Sequence, residues 1–331
     1  MSRVVRIHQL GGPDVLQLED FEVPPPAADE VRIAVKAIGL NRAEAMFRAG
    51  HYDEQPVFPA RIGYEAAGLI EAVGENVRGL SVGDAVSVIP PNSISRWGTY
   101  GELANVPAEF VVKHPSSLDW NEAASLWMAA AVVYGALVDY AALKRGEHVL
   151  ITAASSSIGV TAIQVANLLG AIPIATTRTA AKKEALLRAG AAHVIVTDDE
   201  DMVTRVKEIT EGTGARVVFD AVAGPDVAKY TELAATHGVL IIYGLLSLDP
   251  NVVPPMNLLV KRLTIRGFVY RDWVNDPVRR EAFVKFVDDA VASGTLRPIV
   301  GKVFGLEEIV EATRYLESNA QIGKIVVTVD S

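Results

Sequence analysis

The feature that most constrains the fold is an alternation of short β-branched runs and amphipathic helical segments that begins at Glu147. The predicted strands are 148–153, 172–177, 193–196, 217–220 and 239–243. The predicted helices between them are 158–169, 180–189, 200–210 and 225–235. Strands without polar alternation, separated by helices, are typical of a parallel sheet covered on both faces. The sequence therefore predicts a doubly wound α/β domain over residues 123–267.

The first 122 residues have a different pattern, with Gly and Pro at close spacing and short alternating strands. The segment 79–84 has the composition of a turn between two strands. We expect an irregular β-rich domain here. The last 60 or so residues hold two predicted helices, 279–293 and 306–318, and a final strand, 324–329.

Composition narrows the function. The 331 residues are half hydrophobic, enough to bury two cores. A formal net charge of −9 argues against a nucleic-acid partner, because phosphate backbones are bound by basic surface. Absence of cysteine excludes disulfides, a catalytic thiol and a four-thiolate zinc site. No apolar run approaches the roughly 18 positions of a membrane span, and the N-terminus lacks a secretory apolar core, so we expect a cytoplasmic protein without a membrane partner.

A candidate phosphate-binding loop follows the first strand of the doubly wound domain. The strand runs into Ser156, Ser157, Ile158 and Gly159, and then into a helix. In such a sheet this turn places the amides of a helix N-terminus against a pyrophosphate. Serines stand where the usual motif has glycines, and only Gly159 of that set is present. A purely structural turn is the alternative.

The end of the next strand indicates which dinucleotide is bound. An acidic residue about 20 positions after the loop would bind the ribose hydroxyls of NAD and repel the extra phosphate of NADP. Here Thr177 is followed by Arg178, and Lys182 comes one turn later. Arginine offers a planar fork to a 2′-phosphate. The pattern favours NADPH; a solvated basic pair at a helix start is the alternative.

The run Gly-Tyr-Glu-Ala-Ala-Gly-Leu-Ile-Glu-Ala-Val-Gly at 63–74, followed by Gly-Asp-Ala-Val at 83–86, resembles the zinc-free, zeta-crystallin-like quinone oxidoreductases of the medium-chain dehydrogenase/reductase superfamily. The resemblance covers nearly the whole chain. In zinc alcohol dehydrogenases, the residues that match Asn41 and Tyr64 are a ligand cysteine and a ligand histidine. Neither ligand is present, and the six histidines have no motif spacing, so no metal is expected.

The resemblance implies a GroES-like β domain, 1–122, completed by 268–331, and a Rossmann NADP(H)-binding domain, 123–267. It also implies a homodimer joined along the edge strands of the Rossmann sheets. The implied cofactor-binding residues are Asn41, Val132, Ser156, Ser157, Ile158, Gly159, Thr177, Arg178, Lys182, Thr197, Ala221, Val222, Tyr243, Gly244, Phe268, Val269, Tyr270, Asn319 and Lys324. Two of these differ from many relatives: Val132 stands for a threonine and Thr197 for a tyrosine.

Without a metal to polarise a carbonyl, hydride must go to an acceptor that is already electron-poor, such as a quinone or an enone. The cofactor supplies the chemistry and the protein supplies orientation. The predicted catalytic residues are Tyr52 as a donor near the substrate, Asn41 as an orienting group, and Tyr64. A packing role is the alternative for Tyr52, and Tyr64 has the alternative of filling the vacated zinc position.

Two other functions are open. One is reduction of an enoyl thioester, which predicts a basic entrance for a phosphopantetheine or coenzyme A arm; Arg42, Arg48 and Arg96 are the candidates for it. The other is a non-catalytic NADPH-binding protein of the crystallin kind. Turnover would distinguish these from reduction of a small diffusible quinone or enone.

Overall fold

The computed structural model describes residues 1–329. Its strands are β1 Ser2–Ile7, β2 Leu16–Phe21, β3 Glu30–Gly39, β4 Ala60–Arg61, β5 Glu65–Val73, β6 Ala85–Val88, β7 Leu103–Pro107, β8 Val111–Lys113, β9 His148–Ile151, β10 Ile172–Thr177, β11 His193–Val196, β12 Ala215–Asp220, β13 Ala234–Ile242, β14 Thr264–Gly267, β15 Val300–Gly305 and β16 Lys324–Thr328.

The α-helices are α1 Arg42–Arg48, α2 Trp120–Ala123, α3 Trp127–Val133, α4 Ser157–Leu168, α5 Lys183–Arg188, α6 Met202–Ile209, α7 Val227–Leu233, α8 Pro255–Lys261, α9 Arg271–Val274, α10 Pro277–Ala292 and α11 Ile309–Glu317. A π-helical segment, Tyr134–Tyr140, continues directly from α3. The predicted helices and strands of the doubly wound region all have counterparts, with ends shifted by a few residues because helix ends fray and cap differently.

The chain forms two compact units, Met1–Met128 with the chain from Arg297, and Ala129–Leu296. The second unit contains a six-stranded, wholly parallel sheet in the order β11-β10-β9-β12-β13-β14. The order reverses between β9 and β12, which is the topological switch point where open α/β sheets bind ligands. The predicted Rossmann fold is confirmed.

Burial of both faces explains why these strands lack polar alternation. Leu150, Ile174, Ile195, Val218 and Leu240 come from five neighbouring strands and form one cluster under α6 and α7. Each is fully buried. Removing such side chains from water is the main favourable term in folding, at roughly 25 cal/mol per Å².

The first unit contains a seven-stranded sheet in the order β15-β16-β3-β5-β6-β8, with β7 also paired to β3, and a smaller sheet, β2-β1-β4. The C-terminal strand β16 pairs antiparallel with β3, and β15 pairs parallel with β16. The tail from β15 onward therefore completes the sheet of the first unit. This register places Gly39 of β3 between Glu65 of β5 and Val326 of β16.

Both boundaries between the units differ from the expected ones, the first by six residues and the second by more. Residues 268–296 were expected with the first domain, but they belong to the second unit. The reason is an aromatic cluster in which Tyr134 lies 5.5 Å from Trp273 and 5.4 Å from Phe283, between ring centroids. Gly135 permits this packing, because a Cβ there would lie 2.0 Å from the Trp273 Nε1 atom.

Helical residues from Trp120 to Tyr140 form the one described segment long and apolar enough to span a membrane, and 78% of its most apolar stretch is buried inside the protein. That burial identifies it as a core helix. An apolar core helix of a folded protein satisfies the same length and composition test as a membrane span.

Candidate active site

The candidate phosphate-binding loop lies between a strand and a helix. Strand β9 leads into a turn, and Ser156 caps α4 by accepting a hydrogen bond from the Gly159 amide at 3.0 Å. The first amides of a helix have no intrahelical partner, so those of Ser157 and Ile158 face out of the helix end. The helix dipole favours negative charge at this place.

Close packing leaves no room for a side chain at Gly159. A Cβ at this position would lie 2.5 Å from the Cα of Ala154 and 2.5 Å from its carbonyl oxygen. The helix therefore sits against the turn at a distance that only glycine allows. Ala153, before it, has a φ of 44°, in the left-handed region that favours glycine.

Two cations lie beyond the end of β10. Arg178 is exposed, and Lys182 donates from its Nζ to Ser155 Oγ at 3.1 Å. Partial burial lowers the pKa of Lys182, and the neighbouring Arg178 charge lowers it further. Thr197, after β11, donates its amide to the Thr177 carbonyl at 2.8 Å, so the predicted residues of these two strand ends are adjacent.

A buried carboxylate organises the loop after β12. Asp220 accepts hydrogen bonds from Thr152 Oγ1 at 2.7 Å and from the amides of Val222 and Ala223 at 3.0 and 2.8 Å. The Ala221 amide in turn donates to Thr152 Oγ1 at 2.9 Å. Burial raises the pKa of Asp220, and these donors offset part of the rise. The predicted positions Ala221 and Val222 are thus fixed at the switch point.

The ends of β13 and β14 complete this edge of the sheet. Tyr243 stacks on Phe219, with ring centroids 4.0 Å apart, and burial raises the pKa of its hydroxyl beside Ser156. A Cβ on Gly244 would lie 2.8 Å from the Ala221 carbonyl, so the two loops meet at that glycine.

The remaining predicted cofactor residues of this unit are Phe268, Val269, Tyr270 and Val132. The Phe268 amide donates to the Ile242 carbonyl at 2.9 Å, which attaches the segment after β14 to the end of β13. Phe268, Tyr270 and Val132 are buried, whereas Val269 is 42% exposed.

In the first unit, the segment 41–52 begins as a capped helix. Asn41 is the N-cap of α1, and the Glu44 carboxylate binds both of its N–H groups. Glu44 Oε2 accepts from the Asn41 backbone amide at 2.7 Å, and Oε1 accepts from Asn41 Nδ2 at 3.2 Å. Glu44 Oε1 also accepts from the Tyr64 amide at 3.2 Å. Burial raises the pKa of Glu44 to about 7, against the opposing charge of Lys324.

The Lys324 side chain is bonded to Asn41 and so joins the Asn41–Glu44 hydrogen-bond network. Its Nζ donates to Asn41 Oδ1 at 2.6 Å and to Glu65 Oε2 at 2.5 Å, and the Lys324 and Glu65 side chains are 1% and 0% exposed. Asn41 Nδ2 also donates to the Gly39 carbonyl at 3.1 Å. The Asn41 amide is therefore engaged at both of its polar atoms, and the Lys324 ammonium is enclosed by protein.

The two predicted tyrosines are brought together. The hydroxyl oxygens of Tyr52 and Tyr64 lie 3.3 Å apart, at hydrogen-bond distance. Tyr64 is fully buried, and Tyr52 is half-buried on the outer side of the pair. The pair can hold and pass a proton between two oxygens, with Tyr52 the member that meets solvent.

Asn319 also lies in the first unit, where its Oδ1 accepts a hydrogen bond from Arg42 Nη2. Arg48 is 2% exposed and is bonded to Glu317 and to the Gly11 carbonyl. Arg96 is exposed and stacks on the Trp97 ring. The three arginines considered for a basic entrance thus have different surroundings, and Arg48 is closed to a ligand.

Within residues 1–329, no group of three or more His, Asp or Glu side chains has an arrangement that could hold a metal ion. Asn41 and Tyr64, at the two zinc-ligand positions of the resemblance, are instead joined through Glu44.

Asp220 and Glu65 are important to these arrangements but are not among the predicted site residues. Asp220 has a signal in the sequence, a carboxylate that closes an apolar strand at a predicted switch point. Glu65 lies inside the motif at 63–74 but its partner is 259 residues away, so no local pattern marks the contact.

Two known protein families match regions of the chain, one in each unit. A family model described as alcohol dehydrogenase GroES-like domain matches residues 27–116, and one described as zinc-binding dehydrogenase matches 157–289. Together they define the class: a medium-chain dehydrogenase/reductase with a GroES-like and a Rossmann domain.

Similar whole chains narrow the class. Quinone oxidoreductase 1 of Escherichia coli is 31% identical over 98% of this chain and 98% of its own. A 2-haloacrylate reductase of Burkholderia sp is 32% identical, over 97% of each chain. The crystal structure of Escherichia coli quinone oxidoreductase complexed with NADPH superposes with a TM-score of 0.91 at 29% identity, covering 98% of this chain and 99% of that one.

The chain belongs to the quinone oxidoreductase family. The predicted family and fold class are confirmed, and the chain is an oxidoreductase. The structural neighbour holds NADPH, the cofactor that Arg178 favours on sequence grounds.

Proposed function

We propose that the protein transfers hydride from NADPH to a quinone or an activated alkene such as an enone, without zinc. The proposal rests on two separate observations: one unit contains a capped phosphate loop and a two-cation strand end, and the other contains the Tyr52–Tyr64 hydroxyl pair. The first arrangement fits NADPH, and the second fits protonation of a reduced acceptor.

The residues present fit NADPH. The Gly159 cradle and the outward amides of α4 suit the pyrophosphate, since a Cβ at Gly159 would close the approach. Arg178, with Lys182 anchored on Ser155, suits a 2′-phosphate, because an exposed guanidinium can offer two parallel donors. When bound, the cofactor supplies the hydride, and the protein holds it by these groups.

The substrate class follows from the polar groups of the first unit. Asn41 and Tyr64 stand at the positions of the zinc ligands of zinc alcohol dehydrogenases. The Asn41 side chain is bonded to Glu44 and Lys324, and the Tyr64 hydroxyl lies against that of Tyr52. An acceptor must then be electron-poor by itself, as quinones and enones are. The 2-haloacrylate reductase among the relatives has such an alkene in its name.

Tyr52 is the proposed proton donor to the reduced acceptor, and Tyr64 is the proposed second hydroxyl that hydrogen-bonds to it. A positioned general acid contributes typically about 10²- to 10⁴-fold to a rate. Asn41 acts here through its neighbours, because both polar atoms of its amide are engaged.

The thioester alternative receives no support from the arginines. A phosphopantetheine arm needs an exposed basic surface, but Arg48 is buried and bonded to Glu317, and Arg42 is bonded to Asn319. Of the three candidates only Arg96 is exposed, so they form no exposed basic cluster. A small diffusible acceptor requires no such entrance.

We also propose a cytoplasmic homodimer joined at the edge strand β14. The chain that connects β13 to β14 carries apolar side chains that are 48 to 72% exposed, including Leu245, Leu248, Val252, Met256, Leu259 and Val260. A large exposed apolar patch marks an interaction surface. Light scattering during gel filtration tests this: a monomer at micromolar concentration would contradict it.

The function is tested by following NADPH and NADH oxidation in parallel against a naphthoquinone, a simple enone and a crotonyl thioester, with zinc assayed in the same preparation. Turnover of the quinone or the enone, with a preference for NADPH and without stoichiometric zinc, supports the proposal. Turnover of the thioester alone would favour the enoyl-thioester reductase. Tight NADPH binding without turnover would favour the binding protein.

A further inference from the structure

The buried ion pair in the first unit has no part in cofactor binding or proton donation as proposed above. The Lys324 ammonium is enclosed by Asn41 Oδ1 and Glu65 Oε2, while Glu65 Oε1 accepts a hydrogen bond from the Met128 amide at 3.0 Å. Every one of these groups lies in the first unit. A fully buried charge pair is costly to form, so its presence calls for a specific role.

We infer that Lys324 is a positioning residue: its ammonium fixes the Asn41 side chain, and through Asn41 and Glu44 it holds both members of the Tyr52–Tyr64 hydroxyl pair in place. The inference deepens the proposed function and rests on it for its kinetic consequences.

The backbone prepares the place for this cation. Gly39 pairs with Glu65 on one side and with Val326 on the other, so the Lys324 side chain crosses the sheet over Gly39. A Cβ on Gly39 would lie 2.0 Å from the Ala124 carbonyl oxygen, 2.7 Å from Lys324 Cε and 3.1 Å from Glu65 Oε2. The glycine therefore leaves the space that the Ala124 carbonyl and the lysine side chain share.

From the ammonium, hydrogen bonds lead to Tyr64, and the covalent chain through α1 leads to Tyr52. Asn41 is the N-cap of α1, and the chain that follows α1 carries Tyr52. Glu44, held by Asn41, accepts from the Tyr64 amide at 3.2 Å. Losing the ammonium would release the Asn41 amide oxygen and leave two buried carboxylates, Glu44 and Glu65, without their cation. The start of α1 and the strand end at Tyr64 would then shift against each other.

The kinetic test is a double-mutant cycle between Lys324→Met and Asn41→Leu. If Lys324 acts by holding Asn41, each single variant loses the same interaction. Each should lower kcat on the order of 10²-fold, as expected for a misplacement near 1 Å, while KM for NADPH changes by less than about 3-fold. The double variant should be no slower than the slower single. Multiplying effects, or a wild-type kcat in Lys324→Met, would overturn the inference.

Lys113→Met is the matched control. Lys113 lies in the same sheet on β8 and pairs with Asp84 at 3.0 Å, but its side chain is 59% exposed. Exposed pairs contribute little, so kcat should stay within about 2-fold of wild type. Where Lys324→Met yields no folded protein, Lys324→Gln replaces it in the cycle, since it keeps an N–H donor for Asn41 and removes the charge.

Hydrogen–deuterium exchange tests the same inference without turnover. In Lys324→Met or Lys324→Gln, amides of α1 and of residues 62–65 should exchange at least about tenfold faster, while β1, β2 and α4 keep wild-type rates. Unchanged exchange in α1, or equal acceleration throughout the first unit, would refute a positioning role. A wild-type enzyme without turnover would refute the proposed function alone, and the exchange result would still decide the inference.

Discussion

The pKa of Glu44 predicts a pH-dependent stability difference that a single substitution should remove. Burial raises this pKa from an ordinary 4.5 to about 7 in the folded protein. Between these values the folded state keeps a proton that the unfolded state has released. The free energy of unfolding contributed by Glu44 is thus fully present below pH 4.5 and is lost as the pH rises through about 7.

The size of the effect follows from the shift. The rise from 4.5 to about 7, at about 1.36 kcal/mol per pH unit, corresponds to a loss of about 3 kcal/mol across that interval. Glu44→Gln keeps the shape and an acceptor oxygen but cannot ionise. Its free energy of unfolding, minus that of wild type, should therefore rise by about 3 kcal/mol between pH 4.5 and pH 8.

Urea unfolding measures this difference when followed by tryptophan fluorescence in a Trp273→Phe background, which leaves Trp97, Trp120 and Trp127 of the first unit as reporters. Taking the difference cancels carboxylates common to both proteins. Glu75→Gln, at an exposed position, should give a flat difference. A flat difference for Glu44→Gln as well would refute the assignment of a buried, protonatable Glu44.

Three further substitutions test other parts of the molecule. Arg178→Ala should raise the dissociation constant of NADPH by about 10- to 100-fold and leave that of NADH unchanged, because a charge-assisted contact to the 2′-phosphate is lost. An equal rise in both dissociation constants would contradict this, and Arg188→Ala, at an exposed position, is the control. Asp220→Ala should lower the free energy of unfolding by about 3 kcal/mol, since Thr152 Oγ1 and the amides of Val222 and Ala223 lose their acceptor. Thermal denaturation measures the loss, with Asp198→Ala at an exposed position as the control, and an unchanged Tm would refute the prediction. Tyr52→Phe should slow enone reduction by about 10²-fold or more and quinone reduction less, because a hydroquinone anion is a weaker base than an enolate. Steady-state rates measure this, with Tyr315→Phe as the control, and a wild-type rate of enone reduction in Tyr52→Phe would exclude Tyr52 as the donor.

Much of the second unit is determined locally. The strands from His148 to Ile242 each contain a short apolar run, and the helices between them have aliphatics three or four apart. These periods depend only on backbone geometry, so they survive in any fold that buries the segments. The phosphate loop is also local, because Ser156 and Gly159 are three residues apart.

The boundary of that unit was not determined locally. The segment 268–296 carries the helix α10, and no local pattern in it shows which unit it joins. Its assignment depends on Trp273 and Phe283 meeting Tyr134, and on Gly135 leaving room for the indole. Such packing depends on side chains more than a hundred positions apart.

The sequence by itself indicated two regions of different pattern, a candidate dinucleotide loop and the basic residues beyond β10, and its resemblance to a family implied the absence of zinc ligands at Asn41 and Tyr64. Only the tertiary structure decided that Lys324, 283 residues from Asn41, ends on its amide oxygen. The physical reason is strand pairing. The alternation of side chains along β16 shows which face of the sheet a residue occupies. The pairing of β16 with β3 and of β3 with β5 decides which distant side chains share that face. On that face the Glu65 carboxylate offsets the cost of burying the Lys324 ammonium.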